Sequence, residues 1–407
     1  MPLETYPLED LRTLAKRNPD YRWPTRSKAN RLEPVCRPRF DPSFQINRDD
    51  RIFTIGSCFA GYIGGHMRDA GFDVHPVDVQ TRAPKKFRTT DLLYRHSPFS
   101  ILQTFQWGLE PDTLPAHCEC YIETADGEIY DPTLAHHAAG SLAEIEEINQ
   151  KVSEGDRAIK DCRVVIITLG LIETVFDLKT NLYLEAWPGN LVQPGDRERY
   201  EVRILSVAEI LEALEEIHAI LARNLEEGFK ILLTVSPVPL NNSLRDCDVI
   251  SANMYSKSSL RTAAEEFFLT HENVDYLPAY ESVTLSERLA AWDADLRHPT
   301  RFIVRLNMAR MLSRYVPDEA FKVEEEEIDA EVADFEQQFI KDWPKQLRVF
   351  QSYFTSLEDR LATHVEKPET LRRLMETEIA GLNATVERLQ ESNARYLRQL
   401  LEQGGGG

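Results

Sequence analysis

Three apolar runs limit the folds open to this 407-residue chain. They cover residues 52–55, 164–169 and 231–235, and each is followed directly by a glycine or a serine. Uninterrupted β-branched and aliphatic runs are typical of parallel strands that are buried on both faces. The segments between them carry apolar residues every three or four positions, as amphipathic helices do. Strands that alternate with helices predict an α/β protein with a parallel, doubly wound sheet and right-handed crossovers.

The ends of these strands are the expected place for a functional site. Ligands of doubly wound sheets bind at the carboxyl ends of the strands, and Ser57, Gly170 and Ser236 come at those ends. We therefore expect the three residues to line one crevice. The elements predicted around it are helices over 58–70, 207–226 and 253–269, a helix that begins at Pro98, and short strands over 74–79 and 274–276.

Ser57 lies where a strand turns into a helix. Gly56 permits the tight turn, and Phe59, Ile63 and Met67 continue at helical spacing. The N–H groups and the positive dipole end of a helix would stabilise negative charge on an oxygen close to this serine. Serine is also a favoured helix cap, and on local grounds alone we favour the cap over the nucleophile.

A second cluster lies near residue 295. Asp295 precedes His298 by three residues, on a turn that ends at Pro299. An aspartate so placed can hold one imidazole nitrogen while the other faces a hydroxyl, which fixes the tautomer and stabilises the imidazolium. Alone, the pair also fits a surface turn with a solvated histidine. Together with the turn at Ser57, the chain order Ser, Asp, His favours nucleophilic catalysis.

The chain also resembles a known family. Residues 56–60 read Gly-Ser-Cys-Phe-Ala, which resembles the signature of the GSCFA family, a relative of the SGNH/GDSL hydrolases. The other segments that carry the resemblance, in the same order, are 168–173, 234–240, 252–253, 256–261, 275–281 and 295–298. Several ordered motifs over roughly 45–315 make the likeness more specific than a lone pentapeptide.

The resemblance implies a flavodoxin-like three-layer sandwich, similar to SGNH hydrolases, with esterase or O-acyltransferase chemistry. It implies that Ser57 is the nucleophile, His298 the base and Asp295 the residue that orients this base. Cys58 at the helix start is an alternative nucleophile, since a thiol there can have a lowered pKa. It ranks second because the family places serine in that role.

One segment departs from the SGNH pattern. SGNH enzymes usually carry an asparagine in a Gly-x-Asn-Asp segment as an oxyanion donor, whereas residues 170–173 here read Gly-Leu-Ile-Glu. An ionised Glu173 cannot donate a hydrogen bond to an oxyanion. The oxyanion hole is therefore expected to use backbone N–H groups near Cys58 and Gly170, or an unidentified side chain.

Four residues are candidates for substrate binding. Lys257 and Arg261 lie four residues apart, on one side of a predicted helix, and can hold a carboxylate or an acyl-carrier phosphate. A solvated helix face paired with acids explains them equally well. Glu173 is either a substrate contact or the partner of one of these cations. Ser236 is a weaker candidate, and we favour for its side chain a hydrogen bond to local backbone groups.

The predicted function is a serine-dependent acyl ester hydrolase or O-acyltransferase acting on a carbohydrate or polysaccharide precursor. No cofactor or metal is expected, although an acyl-CoA donor fits a transferase. The alternative is a catalytically weak or inactive SGNH-like binding or scaffold protein that dimerises through its C-terminal helix. The altered segment at 170–173 and the large helical appendage motivate this alternative.

Composition narrows the class of protein. The formal net charge of −20 argues against a general nucleic-acid binder, because phosphate contacts need clustered lysine and arginine. The six cysteines show no paired Cys-x-x-Cys spacing, so we expect no zinc site and reduced thiols in the cytoplasm. The first ten residues lack the basic start and apolar core of a signal peptide, and no apolar run approaches the ~20 residues of a membrane span. We therefore predict a cytoplasmic protein without a membrane span.

The chain is divided into an N-terminal arm (1–48), the α/β domain (49–320), a helical extension (321–366), a coiled-coil helix (367–403) and a glycine tail (404–407). The coiled coil is predicted from a heptad repeat with branched residues and one asparagine at the a positions and leucine at most d positions, a pattern that favours a parallel dimer. The a positions are Ile379, Val386, Asn393 and Leu400, and the d positions are Leu382, Leu389 and Tyr396. A single amphipathic helix packed on the body is the alternative.

Overall fold

The structure is a computed structural model that describes residues 2–10, 13, 16–25, 30–76, 91–135, 139–187, 189–192, 194–330 and 332–333. The chain divides into two units, Met1–Ala333 and Asp334–Gly407, and the fold below is that of the first. The predicted coiled-coil helix, the glycine tail and most of the helical extension lie outside the described residues.

A five-stranded parallel sheet forms the centre of the first unit. Its strands are β1 (Arg51–Gly56), β2 (Asp73–His75), β3 (Val164–Leu169), β4 (Lys230–Val235) and β5 (Val274–Tyr276). They lie side by side in the order β2-β1-β3-β4-β5. Doubly wound folds of the flavodoxin type use this order, and their ligands bind where the order reverses, between β1 and β3 here.

The apolar runs of the sequence account for these strands. All six residues of β3 are buried, as expected for a strand that pairs on both sides. Successive side chains point to opposite faces, so Phe53 and Ile55 pack into one hydrophobic core and Ile52 into the other. The sheet therefore separates two cores, each of which needs a layer of helices.

Between residues 58 and 315, the part of the chain that the structure describes forms these helices: α1 (Cys58–Asp69), α2 (Pro98–Leu109), α3 (Leu142–Arg157), α4 (Val207–Asn224), α5 (Val249–Thr270), α6 (Ala279–Leu285), α7 (Arg288–Ala291) and α8 (Arg301–Tyr315). The core on one face of the sheet contains residues of α1 and α8, and the core on the other contains residues of α2, α4 and α5. The predicted α/β class, with a central parallel sheet and helices on both faces, is confirmed.

A second, antiparallel sheet is an addition that the sequence analysis did not predict. Its central strand, Glu173–Asp177, pairs with Leu182–Leu184 on one side and Tyr200–Ile204 on the other. A two-stranded hairpin of Ile122–Glu123 and Ile129–Tyr130 also occurs in the described part of the chain. Because Glu173–Asp177 begins four residues after β3, this sheet stands at the carboxyl edge of the central one.

The segment 30–48 packs against the α/β domain. The backbone N–H of Ile46 donates to the carbonyl oxygen of Tyr315 at 2.8 Å, and Phe44 lies against the Tyr315 ring. Beyond α8, residues 319–330 are helical, and they include four consecutive glutamates at 324–327. None of the described helices is both long and apolar enough to span a membrane.

Candidate active site

A cleft of about 680 Å³ opens at the carboxyl ends of β1, β3 and β4. Its lining includes Ser57, Gly170 and Ser236, which follow these three strands. Cys58, Glu173 and His298 also line it. The structure thus brings most of the predicted site residues to one crevice, although they are spread over more than half of the chain.

Two backbone features hold Ser57 in place. Gly56 has a φ of +136°, and a Cβ atom on it would lie 2.1 Å from the carbonyl oxygen of Thr168. The same oxygen accepts the N–H of Ser57 at 3.2 Å. Ser57 is the N-cap of α1, and its hydroxyl accepts the N–H of Phe59 at 3.3 Å. The serine therefore caps the helix, as local sequence favours, while its nearly buried side chain also lines the cleft.

Asp295 and His298 form the hydrogen-bonded pair that their spacing predicts. The Nδ1 atom of His298 lies 2.5 Å from a carboxylate oxygen of Asp295. The other carboxylate oxygen accepts the backbone N–H groups of His298 and Arg297 at 3.0 and 2.9 Å. These hydrogen bonds hold the pKa of the Asp295 carboxyl well below its ordinary value. Both side chains are partly exposed, at 38% for His298 and 49% for Asp295, so the pair lies at the rim of the cleft.

The predicted role of Gly170 as an oxyanion donor is contradicted by its hydrogen bonding. Its N–H donates to the carbonyl oxygen of His96 at 3.2 Å, and the N–H of Leu171 donates to the same oxygen at 2.7 Å. Both N–H groups are therefore used within the protein. Cys58 keeps the position expected of it, since it is the first residue of α1 and lines the cleft.

Glu173 and Ser236 occupy the cleft in different ways. The Glu173 carboxylate accepts the hydroxyl of Ser243 at 3.0 Å and the N–H of Leu244 at 2.6 Å, which fastens the loop that carries them. The Ser236 hydroxyl is buried and has no hydrogen-bond partner among the described residues. The expectation that this hydroxyl satisfies local backbone groups is therefore wrong.

Lys257 and Arg261 do not act as a pair. The Lys257 ammonium is buried and donates to the carbonyl oxygen of Gly170 at 2.7 Å, directly behind the cleft. Burial and, to a smaller extent, the nearby charge of Arg297 together lower the pKa of Lys257 to about 7. Arg261 instead pairs with Glu281 at 2.6 Å and Glu265 at 2.5 Å and is not among the residues that line the cleft.

A second histidine–carboxylate pair in the cleft was missed by the sequence analysis. His96 Nδ1 lies 2.8 Å from an oxygen of Glu185, and the His96 backbone N–H reaches both carboxylate oxygens at 3.0 and 3.1 Å. Both residues line the cleft, and the Glu185 side chain is only 2% exposed. Burial favours a raised pKa for this carboxyl, but the hydrogen bond and charge of His96 outweigh it and lower the pKa.

Distance along the chain explains why this pair was missed. The two residues are 89 positions apart, and Glu185 follows a three-residue strand without a recognisable motif.

Among the described residues, no group of three or more histidine, cysteine, aspartate or glutamate side chains is arranged to hold a metal ion.

The fold and the cleft define an α/β protein whose polar site lies at the carboxyl ends of a doubly wound parallel sheet. A model of the GSCFA family matches residues 51–311, a range that contains all five strands and the residues of the cleft discussed above. The protein therefore belongs to the GSCFA family. No curated protein and no solved structure matches the chain.

Proposed function

We propose that the protein is a serine-dependent acyl ester hydrolase or O-acyltransferase. Ser57 is the nucleophile, His298 its base, and Asp295 the carboxylate that orients this base. The observation that carries the proposal is the placement of Ser57 and His298 in one cleft, with Asp295 bound to the Nδ1 atom of His298. A hydrogen bond at Nδ1 leaves Nε2 as the ring nitrogen that can accept a proton.

The reaction would proceed through an acyl-enzyme. His298 takes the proton of Ser57 while the serine oxygen attacks the acyl carbon of the donor. Backbone N–H groups and the dipole of α1, whose first residue is Cys58, stabilise the negative charge that develops at this helix end. The donor's leaving group departs with the bonding electron pair and takes up a proton. Water or an acceptor hydroxyl then loses a proton and bonds to the acyl carbon, and Ser57 leaves with the proton that His298 returns. Among the described residues no hydrogen bond joins Ser57 to His298, and contacts of this kind often tighten only when substrate binds.

Two further features support a likeness to SGNH hydrolases. The strand order and the positions of Ser57 after β1 and of the Asp295–His298 pair before α8 agree with what the family resemblance implies.

The oxyanion donor must differ from that of SGNH enzymes. The segment that would carry their asparagine lacks it, and the Gly170 N–H already donates to the carbonyl oxygen of His96. Asn241 and Asn242 line the same cleft, and their side-chain amides can supply the missing donor.

The lining of the cleft favours a polar acceptor such as a carbohydrate or a polysaccharide precursor. Glu173, Asn241 and Asn242 present carboxylate and amide groups that can bind hydroxyls. Trp187 adds an exposed aromatic ring at the same cleft. Such a combination of an apolar surface with a few polar groups fixes the orientation of a bound small molecule.

A fluorophosphonate probe tests the nucleophile. The wild-type protein is expected to react once per chain, with the label on the peptide that contains Ser57. The Ser57→Ala variant should lose the label, while Cys58→Ala, the neighbouring residue, should keep it. The His298→Gln variant should react at least about 100-fold more slowly, because it lacks the base.

A panel of short-chain acyl esters and acyl-CoA donors tests turnover. Hydrolysis or transfer that is lost in both Ser57→Ala and His298→Gln supports the enzyme. Labelling that persists at full strength in folded Ser57→Ala removes this serine from the mechanism, and a label shifted to Cys58 would make the thiol the nucleophile. A folded wild-type protein that neither reacts with the probe nor turns over any donor would instead have a binding or scaffold role.

A further inference from the structure

We propose that His96, held by the buried Glu185, is a second catalytic acid–base residue of the cleft. It protonates the alcohol or thiol that leaves the acyl donor and later deprotonates the hydroxyl that accepts the acyl group. This inference rests on the proposed function. It assigns a different proton transfer to each histidine: His298 exchanges a proton with Ser57, and His96 exchanges one with the leaving alcohol or thiol and with the acceptor hydroxyl.

The backbone of His96 is fixed on both sides. Its carbonyl oxygen accepts the N–H groups of Gly170 and Leu171, and its N–H donates to Glu185. Two short contacts place this segment beside the nucleophile. The N–H of Arg95 donates to the carbonyl oxygen of Gly56 at 2.8 Å. A Cβ atom on Gly170 would lie 3.2 Å from Cα of His96 and 3.3 Å from Cβ of Ser57.

The imidazole of His96 is oriented as well as its backbone. Glu185 binds Nδ1, and the side chain of His96 is 25% exposed at the cleft. The buried carboxylate fixes the orientation of the ring through this hydrogen bond, because a buried charge needs a polar partner. In serine triads the carboxylate that orients the base is buried. The Glu185 side chain is 2% exposed and the Asp295 side chain 49%, so Glu185 is the more similar of the two to the buried carboxylate of a triad.

The two histidines reach the cleft from opposite faces of the sheet. His96 comes two residues before α2, whereas His298 comes three residues before α8. Residues of α2 belong to the core on one face, and residues of α8 to the core on the other. The nucleophile stands at the end of β1 between these faces, so His298 can exchange a proton with the Ser57 oxygen while His96 exchanges one with the leaving or accepting group.

The protons balance over one cycle. In the first half-reaction His298 takes the proton of Ser57, the serine oxygen bonds to the acyl carbon, and the donor's leaving group takes a proton from the His96 imidazolium. In the second, neutral His96 takes the proton of the acceptor hydroxyl, whose oxygen bonds to the acyl carbon. Ser57 leaves as its ester bond breaks and recovers its proton from His298. Both histidines end in their initial state.

Donor esters whose leaving groups differ in acidity test whether His96 protonates the leaving group while His298 accepts the proton of Ser57. The acyl chain that the donor panel identifies is presented as a 4-nitrophenyl ester, whose leaving group needs no acid, and as an ethyl ester, whose leaving group does. In His96→Gln the burst of 4-nitrophenol should stay within about threefold of wild type, while kcat/KM for the ethyl ester falls at least about 100-fold. Fluorophosphonate labelling should also stay within about threefold, because fluoride leaves without a proton.

The matched variant His298→Gln should slow the burst, the labelling and the ethyl ester alike. Glu185→Gln tests the same idea without a change in His96, and it should lower the ethyl-ester rate more than the burst. It also serves if His96→Gln does not fold, as judged by circular dichroism.

Two results would overturn the role of His96. Equal losses for both esters and for labelling would make it a residue that merely holds Ser57, and unchanged rates for all three would remove it from the reaction. A failure of the serine mechanism itself is distinguishable, since the wild-type protein would then show no label on Ser57.

Discussion

Gly56→Ala tests the turn on which the site is built. An alanine there meets two obstacles, since the backbone has a φ of +136° and the added Cβ would lie 2.1 Å from the carbonyl oxygen of Thr168. That oxygen belongs to β3, which pairs with β1 in register, so it cannot move without opening the sheet. A backbone forced into a sparsely populated region costs about 1–3 kcal/mol. Overpacking adds about 1–3 kcal/mol, which gives a total loss of roughly 2–6 kcal/mol in the free energy of unfolding.

Urea unfolding followed by tryptophan fluorescence measures this loss. Gly65→Ala is the matched control, because no atom of the described residues lies within 4 Å of the added Cβ atom and the residue is inside α1. There the same change should raise the free energy of unfolding by about 0.5–1 kcal/mol, since alanine is the better helix former. If Gly56→Ala unfolds at the same urea concentration as Gly65→Ala, the close approach of β1 to β3 is not as described and our reasoning about the turn fails.

Two further stability predictions concern buried charges. Lys257 has a pKa of about 7 in the folded protein, below its unfolded value of about 10.4, so the unfolded chain binds more protons between these pH values and wild-type stability should rise with pH there. Lys257→Met should abolish this rise, of roughly 1 kcal/mol per pH unit, in urea titrations at pH 7, 8 and 9, and parallel profiles for the two proteins would refute it. Asp177→Asn breaks a buried pair with Arg199 and should lower the free energy of unfolding by about 3 kcal/mol. The exposed pair of Glu201 and Arg203 is the control, since Glu201→Gln should lose less than about 1 kcal/mol, and equal losses would contradict the distinction.

The central sheet was predictable because burial on both faces leaves a plain trace in the sequence. The strand found at Val164–Leu169 has the bounds of its apolar run, the strand at Lys230–Val235 begins one residue earlier than its run, and the strand at Arg51–Gly56 extends one residue beyond its run at each end. Helix ends were less exact, as with α5, which begins four residues before its predicted start. The antiparallel sheet around Glu173–Asp177 was missed, since its strands have three to five residues and none of them contains a long apolar run.

Site residues could be placed from the sequence only where they directly follow a predicted strand. Ser57, Gly170 and Ser236 converge because parallel strands end at one edge. How deeply a side chain is buried and which hydrogen bonds it forms do not follow from the spacing of residues in the sequence. Lys257 and Arg261 share a helix side in the sequence, yet the first is buried behind the cleft and the second pairs with acids elsewhere.

The fate of the Gly170 N–H likewise depends on a partner 74 positions away, because His96 takes it through a contact that only the folded chain creates. The pair of His96 and Glu185 was hidden for the same reason. Such contacts form between segments that no local pattern connects.

The packing around Gly170 has a consequence for how substrate preference can diversify. A Cβ atom on Gly170 would lie 2.7 Å from the carbonyl oxygen of His96 and 3.3 Å from Cβ of Ser57, so any side chain there would push apart the two residues to which we assign proton transfer and nucleophilic attack. We therefore expect Gly170 and the residues that touch it in the cleft to tolerate few substitutions. Trp187 and Asn241, by contrast, lie on loops of the same pocket, where exchanges leave the sheet untouched. For the acyl transfer that we propose, laboratory evolution toward new acyl chains or new acceptors should accumulate its changes on those loops and spare the residues around Gly170.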